Sequence, residues 1–268
     1  MSEERPSELH EGAHGALAHP VLWVAQRQQH YSSLPPPIAA LGRTTVRMVP
    51  SAYPPRTSFG SVPLDPRLVL LADPDSRRAA AFRSLRDNMI AQGMPRVVAV
   101  TSAEAHDGKT TCAINLALAL AEQPSRSVLL IDGNLFAPSL SGVFGIDDTT
   151  PAEPSHHEPW AAPFKLSELT PRLRVATIVR HPGQPSLAFD RQRLGQLVGR
   201  LANVGYDHLV LDAPAVEGAY WMSHLLGEVQ GVLMVVRAGR TTARTIHRAL
   251  ELLPREKLIG SALMDART

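Results

Sequence analysis

The sequence predicts an α/β fold in which helices cover both faces of a mainly parallel sheet. From about residue 67 onward, short and nearly continuous apolar runs alternate with helical patterns. Strands that are apolar on both sides are typical of parallel sheets buried between helices. The chain has 268 residues, which is enough for one large α/β domain or two small ones.

The elements are placed by these apolar runs and by the helical patterns between them. The predicted strands cover residues 96–100, 127–132, 173–179, 208–212, 231–236 and 258–264. The predicted helices cover about residues 76–92, 109–122, 188–203, 219–227 and 241–253. Residues 146–165 interrupt this order with prolines and polar residues and are predicted to be a surface loop. Ligands are expected at the carboxyl ends of the strands.

Residues 1–66 have a different composition from the remainder. Ten of the 23 prolines lie there, together with His10, His14, His19 and His30. Such a composition predicts a mostly disordered leader. The predicted domain organisation is therefore a leader over 1–66 and one folded domain over 67–268.

Charge and composition exclude several classes of protein. The net charge of +2 is too small to indicate nucleic-acid binding, and no nucleic-acid partner is expected. Cys112 is the single cysteine, so no internal disulfide can form and a reducing compartment is favoured. No apolar run approaches the ~18 residues that span a bilayer. We expect a cytoplasmic protein that reaches the inner face of the membrane only through a partner.

The stretch TSAEAHDGKTTCAINLALALAEQ, residues 101–123, ends like a phosphate-binding loop. Gly108, Lys109 and Thr110 complete the pattern G-x-x-x-x-G-K-[ST], although Ala103 replaces its first glycine. An apolar strand precedes the loop and a helix follows it. Backbone N–H groups at such a helix start attract an anion. Lys109 is expected to reach nucleotide phosphates and the Thr110 hydroxyl to bind Mg²⁺.

Two aspartates are expected beside this loop because each ends a predicted strand. Asp132 ends SVLLID and Asp212 ends YDHLVLD. Asp212 suits the Mg²⁺-associated acid of a phosphate-loop ATPase, and Asp132 a group that orients metal, water or an attacking hydroxyl. The predicted catalytic residues are Lys109, Asp132 and Asp212, and the predicted metal site comprises Thr110, Asp132 and Asp212. The predicted ATP-binding residues are His106, Asp107, Gly108, Lys109, Thr110 and Thr111.

Taken in order, these segments resemble the cytoplasmic kinase domain of the bacterial tyrosine kinases of polysaccharide synthesis and export. AFRSLRDNM, VLLIDGNLFAPSL, PGQPSL, YDHLVLDAPAV and GVLMVVRAGRTTARTIHRALELL carry the resemblance, together with the loop and its helix. It covers about residues 67–265 and implies a P-loop NTPase fold related to the MinD and ParA ATPases. It also implies ATP and Mg²⁺ as cofactors and a separate membrane polysaccharide co-polymerase as partner. Self-association through the helix that carries Arg83 and Arg86 is implied as well.

The sequence departs from the family pattern at several positions. His106 stands where glycine is usual, and Asn134 replaces the second carboxylate of a D-x-D segment whose following basic pair is absent. The further departures are Trp221 for an acid, Ala80 for the glutamate of E-x-x-R-x-x-R, and Met264 for an asparagine. The family's C-terminal tyrosine cluster is not found, since the tyrosines are Tyr31, Tyr53, Tyr206 and Tyr220.

Three functions remain open at this point. The first is a protein-tyrosine kinase that acts with a membrane protein of the polysaccharide machinery. The second is a pseudokinase that binds nucleotide and serves as a regulatory subunit. The third is a positioning ATPase like MinD or ParA, against which Glu104 counts, because those proteins usually carry a lysine there.

Overall fold

The computed structural model describes residues 21–25, 64–135, 137–149, 164–179, 191–217 and 222–264. Its strands are β1 (Val21–Ala25), β2 (Val97–Ser102), β3 (Val128–Asp132), β4 (Phe164–Thr170), β5 (Leu173–Ile178), β6 (His208–Asp212), β7 (Gly231–Arg237) and β8 (Leu258–Met264). Its helices are α1 (Val69–Ala72), α2 (Arg77–Ala91), α3 (Lys109–Ala121), α4 (Leu140–Phe144), α5 (Arg191–Ala202), α6 (Met222–Glu228) and α7 (Ala243–Leu252).

The described strands form one sheet in the order β1-β8-β7-β2-β6-β3-β5-β4. Every pair from β8 through β5 is parallel. The two edge strands are antiparallel to their neighbours, β1 to β8 and β4 to β5. The prediction of a mainly parallel sheet is confirmed.

The sheet has an apolar core on each face because its central strands are buried on both sides. On β2, Val98 and Val100 face the core under α2 and α3, whereas Val97 and Ala99 face the core under α5 and α6. Consecutive residues of a strand point to opposite faces, so a continuous apolar run serves both cores. Helices on both faces are therefore confirmed.

Two differences from the predicted elements concern the edges of the sheet. Strand β4 begins inside the predicted loop 146–165 and forms a hairpin with β5. Only Phe164 of β4 is buried, so its sequence lacks the apolar run that marks an inner strand. Strand β1 lies inside the predicted leader, and its backbone pairs antiparallel with β8. The domain boundary at residue 66 stays a prediction.

The described helices are short. Among the residues that the structure describes, none of them combines the length and the apolar character needed to cross a bilayer.

Candidate nucleotide-binding site

The predicted phosphate loop joins the carboxyl end of β2 to the start of α3. Ala103 is fully buried in the core and does not have a positive φ, so its backbone does not require the glycine that it replaces. Gly108 immediately precedes α3 and has a φ of 97°, in the left-handed region that glycine adopts without strain. His106 is exposed and also has a positive φ, 67°, although it carries a β-carbon. The loop therefore keeps a glycine-like backbone at a residue that is not glycine.

Asp107 is fully buried and holds the loop together. Its Oδ2 accepts the Glu104 N–H at 3.1 Å, and its Oδ1 accepts the Thr241 hydroxyl at 3.1 Å. These bonds turn the carboxylate toward the protein. The Asp107 side chain thus shapes the loop, and the place of Asp107 in ATP binding stays a prediction.

Asp212 lies beside the start of α3 and is fully buried. Its Oδ2 accepts the Thr110 hydroxyl at 2.7 Å, whereas Oδ1 accepts no hydrogen bond within the described part of the chain. Burial, with the nearby Asp132 charge, raises the pKa of Asp212 to about 7, and the Lys109 charge opposes this rise. A buried carboxylate oxygen without a partner, next to a hydroxyl, is a donor set that fits Mg²⁺.

Asp132 pairs directly with Asp212 across β3 and β6 but has different partners. Its Oδ1 accepts the Asn134 N–H at 3.2 Å. Its Oδ2 accepts the N–H groups of Ser139 and Leu140 at 2.9 and 3.0 Å. Burial raises the pKa of Asp132, and the three backbone N–H groups act against that rise. Asp132 organises the turn after β3, and its binding of a metal stays a prediction.

The close approach of these two strand ends depends on Gly133. Its N–H donates to the Asp212 carbonyl at 2.9 Å. A β-carbon at Gly133 would lie 2.8 Å from Leu211 Cδ1 and 3.0 Å from the Asp212 carbonyl oxygen. Any other residue would require the Leu211 side chain to move and would crowd the Asp212 carbonyl, where the two aspartates meet.

Comparison with known proteins agrees with this geometry. No protein-family model matches the chain. The chain is 29% identical over 210 residues to the succinoglycan biosynthesis transport protein ExoP of Rhizobium meliloti (strain 1021), covering 73% of this chain and 25% of that protein. It is 27% identical over 207 residues to the tyrosine-protein kinase YwqD of Bacillus subtilis (strain 168), covering 75% of this chain and 86% of that protein.

A solved structure shares the fold. The kinase domain of Escherichia coli tyrosine kinase ETK superposes with a TM-score of 0.61 at 22% identity, covering 75% of this chain and 81% of that one. The resemblance to bacterial tyrosine kinases is confirmed. The fold is that of a P-loop NTPase.

Two of the departures from the kinase pattern lie beside the site. Asn134 Oδ1 accepts the Ala137 N–H at 3.4 Å, so the amide that replaces a carboxylate caps a turn. Met264 is the last residue of β8, and its side chain lies against the loop. Its Cγ is 3.4 Å from the position that a β-carbon would take at Gly108. Both departures lie at the carboxyl edge of the sheet, close to the aspartates and the loop.

The arginines of the predicted subunit-contact helix are bound within the chain. Arg83 forms a two-pronged contact with the Glu122 carboxylate, at 2.9 Å from Nε and 2.7 Å from Nη2. Arg86 donates to Glu122 at 3.2 Å and to the Ala119 carbonyl at 2.8 Å. Glu122, just after α3, thus supplies a carboxylate that the helix itself lacks at Ala80.

Two polar residues near the site were not predicted from the sequence. Asn115 is fully buried, accepts the Leu70 N–H at 3.1 Å, and donates to the carbonyls of Arg67 and Thr111 at 2.7 and 2.8 Å. The sequence signal that could have identified Asn115 is a single amide on the otherwise apolar face of α3. Arg237, at the end of β7, donates to the His106 carbonyl at 2.8 Å, and no sequence spacing links these two residues.

Several predictions concern residues outside the described ranges. These residues are the segment 182–187, Tyr31, Tyr53, Tyr220 and Trp221. Within the described ranges, no group of three or more His, Cys, Asp and Glu side chains forms a metal site. A Mg²⁺ held by one hydroxyl, one carboxylate and nucleotide phosphates requires no such group.

Proposed function

We propose that this chain binds MgATP and transfers its γ-phosphate to tyrosine in machinery that makes or exports polysaccharide. The observation that carries the proposal is the unpartnered Oδ1 of the buried Asp212, beside the Thr110 hydroxyl at the end of a phosphate loop. The functions of two relatives support it. YwqD is a tyrosine-protein kinase and ExoP a succinoglycan transport protein, of which the chain matches one part.

Each residue of the site has a distinct part in this proposal. The backbone N–H groups of residues 106–110 receive the phosphates at the start of α3. Lys109 adds a cation that the transferring phosphoryl group requires, and Thr110 and Asp212 would hold Mg²⁺. The ion, when bound, neutralises phosphate charge. Asp132 fixes the turn over 133–140 beside the reacting groups, and its metal contact is part of the proposal.

The acceptor tyrosine is proposed to belong to another protein. Tyr206 is the single tyrosine among the described residues, and only 7% of its surface is exposed. Its hydroxyl accepts a hydrogen bond from Arg174 at 3.2 Å. A tyrosine held in this way cannot enter the site. Among the described residues no acceptor is therefore available, and we propose that the acceptor lies on the membrane co-polymerase partner at the cytoplasmic surface.

A regulatory pseudokinase is the second candidate, and two observations favour it. Asn134 stands where the family has a carboxylate, and the strained His106 lies within the loop that would wrap the phosphates. The missing carboxylate at Asn134 bears on phosphoryl transfer more than on nucleotide binding. This candidate keeps the same site and predicts binding without chemistry.

One assay separates the two candidates. The purified chain is incubated with Mg²⁺, γ-labelled ATP and a glutamate–tyrosine copolymer, and nucleotide binding is measured in parallel with a fluorescent ATP analogue. Label on tyrosine supports the kinase, whereas binding without label supports the pseudokinase. A chain that binds no nucleotide contradicts both.

The matched variants are two lysine substitutions. Lys109→Met is expected to abolish binding and any transfer, because it removes the cation of the loop. Lys165→Met is the control, since Lys165 lies on edge strand β4 and its ammonium donates to the Asp147 carbonyl at 2.6 Å. Equal loss in both variants would point to unfolding rather than to the loop.

Self-association belongs to the same proposal. The helix α2 presents Arg83 and Arg86, whose carboxylate partner Glu122 comes from the same chain. The Arg83–Glu122 pair is partly open to solvent, and such pairs are weak, so a second copy could compete for Arg83. Arg86 is less exposed and also pairs with Asp87 at 2.8 Å. Sedimentation velocity of the native chain and of Glu122→Gln tests this. Loss of the Glu122 carboxylate should change the distribution of oligomers relative to the native chain. Identical distributions in the two proteins would contradict a role for this helix.

A further inference from the structure

The segment from Arg237, the last residue of β7, to Thr245, in the first turn of α7, contacts the phosphate loop at three points. Arg237 Nη1 donates to the His106 carbonyl at 2.8 Å. The Thr241 hydroxyl donates to Asp107 Oδ1 at 3.1 Å, and the Thr245 hydroxyl donates to Glu104 Oε1 at 3.3 Å. Three successive parts of the loop are therefore tied to one segment more than 130 residues away along the chain.

The strained residue of the loop explains why such restraint is needed. His106 has a φ of 67°, where a β-carbon clashes with the neighbouring backbone. Residues in this region persist only when the surrounding structure fixes them. The His106 ring is exposed and packs against no core, so the restraint has to act through the backbone. Arg237 binds that backbone directly at the His106 carbonyl.

Arg237 is itself held in place. Val235 of β7 pairs with Ser102 of β2, so Arg237 stands two residues further on, where β2 has already turned into the loop. The Arg237 N–H donates to Thr241 Oγ1 at 3.0 Å, and the same hydroxyl donates to Asp107. Thr241 thus joins the base of Arg237 to the loop that the guanidinium binds.

The orientation of one peptide group follows from this contact. In a trans peptide, the carbonyl and the following N–H point in opposite directions. A His106 carbonyl that points at Arg237 therefore directs the Asp107 N–H away from Arg237. Fixing this peptide fixes the backbone just before Gly108 and Lys109, which is the part of such loops that receives phosphate.

We propose that Arg237 is a positioning residue for the nucleotide, and that it supplies the backbone restraint required because His106 replaces glycine in the phosphate loop. It acts through the His106 carbonyl rather than by contact with the reacting atoms. The inference deepens the proposed function and rests on it for its nucleotide-binding test. The structural contact itself can be tested without nucleotide.

The first test is a double-mutant cycle on affinity for a fluorescent ATP analogue with Mg²⁺. Arg237→Met is expected to weaken binding about tenfold in the native background, as for loss of a hydrogen bond from a charged donor. In a His106→Gly background the same change should weaken binding less than about threefold, because glycine reaches a positive φ unaided. Arg240→Met, an exposed neighbour in the same segment, should leave affinity unchanged.

The second test uses the nucleotide-free protein and hydrogen exchange of the backbone amides over residues 104–110. Arg237→Met should raise exchange there and leave β3 and β6 protected, whereas Arg240→Met should not. The exchange measurement reports on the contact between Arg237 and the His106 carbonyl even if the chain does not bind ATP. Failure of the proposed function and failure of this inference are thereby distinguished.

Two results would overturn the inference. Equal losses of affinity for Arg237→Met in both backgrounds would mean that Arg237 does not act through His106. Unchanged exchange over residues 104–110 would mean that the loop keeps its conformation without the guanidinium. In the variant that combines Arg237→Met with His106→Gly, slower exchange of the loop amides than in Arg237→Met alone would support the inference. It would show that glycine at position 106 compensates for the loss of Arg237.

Discussion

Strands β3 and β6 run side by side in register, from Val128 and His208 to Asp132 and Asp212. Every residue of both strands is buried, and both end in aspartate. Yet Asp132 accepts three backbone N–H groups, while Asp212 accepts one hydroxyl and leaves Oδ1 without a partner in the described structure. The same residue at the same edge organises a turn in one strand and is available to a ligand in the other.

The cause lies in the path of the chain after each strand. After β3 the chain folds back, and the N–H groups of Asn134, Ser139 and Leu140 converge on Asp132. After β6 the chain continues along β2, where the Ala213 N–H donates to the Val100 carbonyl at 3.0 Å. The amides that follow Asp212 are therefore used by β2.

The largest effect on stability is expected from Asp132→Ala. Three N–H groups would lose a charged acceptor, two of them at the start of the buried helix α4, and the free energy of unfolding should fall by about 2–4 kcal/mol. Urea denaturation measures this. Asp73→Ala, at an exposed position, is the control and should change stability by less than about 0.5 kcal/mol. A loss as small as that of the control would mean that the turn does not depend on Asp132.

Asp212→Asn tests the other half of the comparison. The amide can still accept the Thr110 hydroxyl, and burying an amide costs less than burying a carboxylate. We expect the free energy of unfolding to stay within about 1 kcal/mol of the native value. Affinity for the Mg²⁺–nucleotide complex should fall about tenfold to a hundredfold, and binding of metal-free nucleotide much less. A loss of stability as large as that of Asp132→Ala would remove the distinction between the two acids.

This distinction marks where the sequence ceases to predict the site. The strands and the loop follow from local patterns: continuous apolar runs, and glycine, lysine and threonine at fixed spacing before a helix. The different roles of Asp132 and Asp212 depend on where later amides return, as do the Arg237 contact and the edge strands β1 and β4. Those features are set by tertiary packing between distant segments, which periodicity does not record.

Gly133→Ala should cause a steric clash where the ends of β3 and β6 meet. A β-carbon at 2.8 Å from Leu211 Cδ1 requires a shift in a packed region, at a cost of about 1–3 kcal/mol in unfolding free energy. The matched control is Gly142→Ala on α4, where nothing lies within 4 Å of an added β-carbon. That change should be neutral or stabilising. Equal effects of the two substitutions would show that the strand ends have room to separate.

The smallest effect concerns the opposite ends of the two strands, where His208 of β6 faces Val128 of β3. His208 is buried, and neither ring nitrogen has a hydrogen-bond partner in the described structure. Burial, and then the charges of Arg126 and Arg96, lower the pKa of His208, while Asp207 opposes them. The unfolded chain therefore binds this proton more readily than the folded protein.

Stability should consequently fall as the pH drops through the ordinary histidine pKa of 6.5, and this contribution should level off below the folded pKa. His208→Leu removes the titrating group but keeps an apolar side chain at the buried position. The variant should lose less unfolding free energy than the native protein between neutral pH and pH ~5. Leu252→Ala, at an exposed position on α7 that carries no titrating group, is the control and should retain the native pH profile. If His208→Leu retained the native profile as well, the start of β6 would be as insensitive to protons as the start of β3.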